Sequence, residues 1–139
     1  MRDGLSQSEI ARSLNVSRQA INQLVETIPE RVTAALNDAA KLNRVVIKCV
    51  DASKGILLGW SREFQTEAVI ALNPKVGLQV WYQHSLGRCR ICADRRRCKS
   101  ILLKTAEELG VSLTLQDRNL DPSKLSGLVF SSVLGRNRK

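Results

Sequence analysis

Three cysteines stand close together in Cys89-Arg90-Ile91-Cys92-Ala93-Asp94-Arg95-Arg96-Arg97-Cys98. Two thiolates separated by two residues can both turn onto one metal ion, and a third soon after fills most of a tetrahedral shell. The residues between them are mostly charged, so core packing does not explain the cluster. The chain has four cysteines in all. In a reducing compartment these point to metal or redox chemistry rather than to a disulfide framework. A fourth ligand is required, and two residues qualify. His84 lies just before the cluster, at the end of a predicted strand; Cys49 lies far upstream, in the first predicted strand. In a four-strand meander the last strand leaves at the end of the sheet where the first enters. That geometry favours His84 and zinc, with Cys49 buried on one strand face with Val45 and Ile47. An all-cysteine set using Cys49 would suit a [4Fe-4S] cluster instead. Arg88, Arg90, Arg95, Arg96, Arg97 and Lys99 surround the thiols and are opposed only by Asp94. They would stabilise a thiolate-rich site and lower its thiol pKa values, or contact phosphates.

The cysteine spacing resembles the last three ligands of WhiB-type iron–sulfur regulators and of the iron–sulfur loop in some DNA glycosylases. That resemblance implies a distant fourth cysteine, which Cys49 would match. The chain lacks the proline usual after the second cysteine of the glycosylase loop. It also lacks the Gly-Trp turn expected after the last cysteine of the WhiB type.

A second chemical signal lies near the amino end, in Ser6-Gln7-Ser8-Glu9-Ile10-Ala11-Arg12-Ser13-Leu14-Asn15-Val16-Ser17-Arg18-Gln19-Ala20-Ile21-Asn22-Gln23-Leu24-Val25. Ser6 and Glu9 have the spacing of a capping box, and Ile10, Ala11 and Leu14 give the helix they open one apolar side. Asn15-Val16-Ser17 reads as a turn, with Ser17 capping a second helix. Ala20, Ile21, Leu24 and Val25 would face inward, leaving Arg18, Gln19, Asn22 and Gln23 outside. Such a polar helix start suits base edges in a major groove, while Arg12 and Ser17 would position phosphates. The run resembles the helix-turn-helix of prokaryotic transcription regulators and is most similar to archaeal Tfx-type regulators. The similarity covers about the first third of the chain and implies sequence-specific binding to double-stranded DNA. It also implies a helix ahead of the capped one. Only Met1-Arg2-Asp3 precede it, so either the start of the chain is placed late or a following helix supplies the missing support.

Other elements must hold these two signals. Pro29 is expected to open a third helix over 30–42, since proline is tolerated at a first helical position. Val32, Ala35, Leu36, Ala39 and Leu42 repeat there at helical spacing. That helix would pack on the DNA-binding pair, lead to the next domain, or pair with a second subunit. Beyond Arg44, the runs 45–50, 56–60, 68–72 and 78–83 are separated by turn signals and predict an antiparallel meander. Residues 62–72 would also suit a helix. A helix over 100–109 ended by Gly110, a short strand over 111–115, a Pro-containing turn and a helix near 125–134 complete the pattern.

The expected architecture is α+β: a helix-turn-helix with a linker or dimer helix over 1–43, then a small antiparallel sheet domain with a metal loop and C-terminal helix over 44–139. At 139 residues and a formal charge of +9, the chain suits a polyanionic partner. No apolar run approaches a membrane span and no signal-peptide stretch opens the chain, so a cytoplasmic protein without a membrane partner is expected. The leading expectation is a homodimeric transcription regulator carrying zinc, or alternatively an iron–sulfur redox sensor. The alternative is a general transcription, repair or RNA-associated factor that binds nucleic acid without sequence preference, with Trp60, Trp81 and Tyr82 as candidate stacking platforms. Asp51, Glu63 and Glu67 are scattered, no nucleophile–base pair accompanies them, and no enzymatic activity is expected.

Overall fold

The computed structural model describes Ser6, Ser8, Glu9, Arg12, residues 17–83 and residues 89–133, with 18, 20–26, 132 and 133 through their backbone alone. Helix α1 (Arg18–Leu42) leads into strands β1 (Val45–Asp51), β2 (Ile56–Ser61), β3 (Thr66–Asn73) and β4 (Gly77–Tyr82). A 3₁₀ turn (Cys89–Ile91) and helices α2 (Arg95–Glu108), α3 (Leu115–Arg118) and α4 (Pro122–Val133) follow. The four strands form one antiparallel sheet in the order β1-β2-β3-β4, which is the expected meander within an α+β fold. Among the described residues no helix is long and apolar enough to cross a membrane.

Side chains alternate across a strand, and here both faces are covered. Leu57, Ala68 and Ile70 pack with Val45 against Leu36, Ala39 and Ala40 of α1. Ile56, Val69 and Ala71 turn the other way, onto Leu102 and Ala106 of α2 and Leu125, Val129 and Phe130 of α4. A strand buried on both faces reads as an unbroken apolar run rather than an alternation. That is why 68–72 fits a helix pattern equally well although it forms β3. Close contact at the β1–β2 step requires a glycine. A Cβ on Gly59 would collide with the Val45 side chain and lie 2.5 Å from the Val46 carbonyl oxygen. Gly55 closes the β1–β2 hairpin with a left-handed φ of +67°, and its carbonyl accepts from Leu72 N at 2.8 Å.

Pro29 does not open a separate helix; α1 runs through it for 25 residues. Proline in a helix interior removes one donor, here the partner of the Val25 carbonyl, at a cost of about 3 kcal/mol. The exposed ring lies outside the core, and burial of Leu36, Ala39 and Ala40 on the sheet holds the following turns. Leu42 is 85% exposed, and Ala40 takes the inward place expected of it. Helix α2 begins earlier than expected and takes in Cys98. It ends as expected at left-handed Gly110 (φ +70°), where Val111 N donates to Ala106 O and Gly110 N to Glu107 O. Residues 111–114 are not a strand: Thr114 caps α3, exchanging side-chain and backbone bonds with Asp117. Pro122 lies not in a turn but at the first position of α4.

Candidate nucleic-acid interface and metal centre

The amino-terminal cap forms as its spacing predicts. Ser6 N donates to Glu9 Oε2 and Glu9 N to Ser6 Oγ, each at 3.2 Å. Two donors that a helix start leaves unsatisfied are thereby paired reciprocally. Ser8, Glu9 and Arg12 are helical and the Arg12 side chain is exposed. Ser17, also exposed, immediately precedes α1, and Gln19 is exposed in its first turn. Arg18, Asn22 and Gln23 lie on the same helix, and the i, i+3, i+4 spacing of 19, 22 and 23 places them along one side of it. The first turn of α1 holds no carboxylate that would oppose a phosphate. Ile10, Ala11, Leu14, Asn15 and Val16 lie outside the described residues, as do the side chains of Arg18, Ala20, Ile21, Asn22, Gln23, Leu24 and Val25.

Downstream, Cys89 opens the 3₁₀ turn and accepts through its carbonyl from Cys92 N at 3.3 Å. Cys98 sits at the start of α2, its N–H donating to Asp94 O at 2.9 Å. Cys89 and Cys98 are half-buried and Cys92 is exposed. Burial pushes the Cys98 thiol up, and Cys92, Asp94 and Cys89 push it the same way. Arg97 alone opposes this rise, so the arginines do not outweigh burial as their number suggested. Among the described residues no three His, Cys, Asp or Glu side chains gather as a metal shell. His84 and Arg88 lie outside the described residues.

Cys49 is exposed, not buried with Val45 and Ile47. A bulge between Ile47 and Cys49 shifts the register and sets Cys49 opposite Leu58, while Val45 stands opposite Ser61. Opposed residues share a face, so Cys49 lies on the α2–α4 side and Val45 on the α1 side. The bulge residue Lys48 reaches Glu67 at 3.8 Å and lies 5.5 Å from the Trp60 ring centre. β1 and β4 are opposite edges of the sheet, three strand spacings or about 14 Å apart. Comparing strand ends alone overlooks that width.

The basic residues of the loop do not share one fate. Arg95 pairs with Asp121 at 2.9 Å and pins the start of α2 to the start of α4. Arg90, Arg96 and Arg97 are exposed, and Lys99 is half-buried. Lys104 and Arg118 join Arg96 and Lys99 around one groove although no motif marks them. The only sequence signal for that grouping is the helical spacing of 96, 99, 100, 103 and 104. Trp81 packs 6.4 Å from Phe130 and Tyr82 meets Phe64 edge-on at 4.6 Å, and Trp60, Trp81 and Tyr82 are all half-buried. Burial, then the charge of Glu63, pushes the Tyr82 phenol up. Asp51 accepts from the Ser53 hydroxyl and from Ser53 N and Lys54 N, closing the hairpin turn. Compared with protein families, characterised proteins and solved structures, the chain gives no match.

Proposed function

We propose that the chain is a sequence-specific, DNA-binding transcription regulator. The helix that opens at Ser6 and α1 form a helix-turn-helix, and the start of α1 enters the major groove. The reciprocal Ser6–Glu9 cap carries this reading, because it opens a helix where the motif needs one. A second helix starts after Ser17, with Gln19 outward. Arg18, Gln19, Asn22 and Gln23 read base edges, with Gln or Asn paired to adenine and Arg to guanine. Arg12 and Ser17 hold phosphates, and Arg90 and Arg97 add backbone contacts without sequence information. The charge of +9 supports a polyanionic partner. The reading includes a homodimer. Ala39 and Ala40 are taken up by the sheet, so a second subunit would meet another surface.

Cys89, Cys92 and Cys98 are read as ligands of zinc, with His84 as the fourth; a [4Fe-4S] cluster completed by Cys49 is the alternative. The short spacing supports three shared ligands, and a bound cation would favour the thiolate against the burial that pushes the Cys98 thiol up. The place of Cys49 on β1, the edge of the sheet opposite the β4 strand that leads to the cysteine loop, supports His84.

Selection from random duplex DNA tests the DNA reading. A sharp palindromic consensus is expected; enrichment without a consensus would turn the assignment to charge-driven nucleic-acid binding. Gln19→Ala and Asn22→Ala should each cost about 1–3 kcal/mol of discrimination. Metal analysis with an absorption spectrum of anaerobically purified protein separates colourless zinc from a brown cluster. Metal-free folded protein would remove both.

A further inference from the structure

We infer that the groove between α2 and the 111–118 segment binds a small organic anion: a phosphate monoester or carboxylate on an apolar body. The cleft measures about 690 Å³, within the roughly 300–1,000 Å³ typical of small-molecule sites. Arg96, Lys99 and Lys104 line it from α2, and Arg118 from α3. Glu107 is the only carboxylate in the lining, so four cations face one anion. None of the four forms an ion pair with a carboxylate among the described residues. Mutual repulsion among them would be relieved by a bound anion, and the Arg118 guanidinium can grip a carboxylate or phosphate through two parallel hydrogen bonds.

The floor favours a ligand with an apolar body. Leu103, Val111 and Leu113, at the margin of the α2–α4 core, line the same cleft with the core residue Ala106. A bare phosphate or an extended phosphodiester strand would leave that apolar surface wet, whereas a hydrocarbon or aromatic body would cover it. No aromatic ring lines the groove, so it offers no stacking platform for successive bases. Its shape is built in. Left-handed Gly110 turns the chain back along α2, and the Thr114–Asp117 capping box then holds the single turn that carries Arg118.

The test uses 1-naphthyl phosphate titrated into the full chain and followed by calorimetry. Saturable binding at least about tenfold tighter than that of 1-naphthol or inorganic phosphate is expected. A similar loss is expected in Lys104→Glu/Arg118→Glu, whose two sites are solvent-exposed. If that variant fails to fold, Ser112→Tyr, at an exposed lining position, should block the cleft and lower affinity as strongly. No saturable binding would overturn the assignment, as would equal binding of inorganic phosphate or a folded variant that binds unchanged. Displacement of the ligand by random duplex DNA would also overturn it and give the groove to nucleic acid. The titration contains no DNA in its first arm, so failure of the helix-turn-helix reading leaves its result intact.

Discussion

On one face of the sheet a single helix sets Leu36 and the small Ala39 and Ala40 against Leu57, Ala68 and Ile70. On the other face two helices bring Leu102, Leu125, Val129 and Phe130 down onto Ile56, Val69 and Ala71. Small contact residues let a helix backbone approach the sheet closely, while large ones fill the wider space beneath a helix pair. The close-set helix leads directly from the segment proposed to read DNA. The bulky face carries the cysteine cluster and the basic groove. β2 and β3 contribute alternate residues to both cores, so the two sides share one wall, and neither can loosen without disturbing the backbone of the other.

The largest effect should come from emptying either core. Phe130→Ala should cost about 3–5 kcal/mol and Leu36→Ala about 2–5 kcal/mol. Urea denaturation should show a single cooperative transition in both; two separated transitions would mean that the faces are independent units. Gly59→Ala should cost about 1–3 kcal/mol, because the added methyl meets the β1 backbone and Val45 from within the shared wall. Removing caps sharpens the contrast at a smaller scale. Thr114→Ala should cost about 1 kcal/mol of global stability and weaken naphthyl phosphate binding by loosening Arg118. Ser6→Ala should leave the urea midpoint almost unchanged and weaken DNA binding instead.

The smallest effect belongs to the β1–β2 turn. Hydrogen bonding from Ser53 is the leading cause that holds the Asp51 carboxyl below its ordinary range; burial opposes it, and Lys54 adds to the lowering. A carboxylate more acidic when folded than when unfolded contributes stability above its unfolded pKa of about 4, and loses it as pH falls through the lower folded value. The stability difference between the protein and Asp51→Asn should therefore be constant at neutral pH and shrink below about pH 4. A difference that stays constant down to strong acid would remove the turn's ionic contribution.

Much of the fold was legible because local chemistry dictates it. The Ser6–Glu9 box, the strand runs divided at Asp51–Gly55 and Asn73–Gly77, and the stop at Gly110 each act over a few residues. Periodicity left strand and helix open where two partners share one strand: Ala68–Leu72 forms the expected strand but is apolar throughout because it serves both cores. It failed at Val111–Leu115, where alternation resembles a strand but Thr114 and Asp117 pair to start a helix. For the candidate sites, the exposure of Gln19 and the closeness of Cys89 to Cys92 follow from short spacings. The face of Cys49 does not, because a single bulge reverses it.

Composition and short spacings alone determined that the chain carries strong positive charge, a capped amino-terminal helix, four strands in sequence and three neighbouring thiols. Only tertiary packing decided that α1 continues through Pro29, that Cys49 stands on an exposed edge, and that Arg96, Lys99, Lys104 and Arg118 surround one groove. Caps, turns and ligand spacings act over a few residues along the chain. A helix interior that accepts proline, the face of a strand after a bulge, and a cluster of cations drawn from two helices depend on what lies across the core.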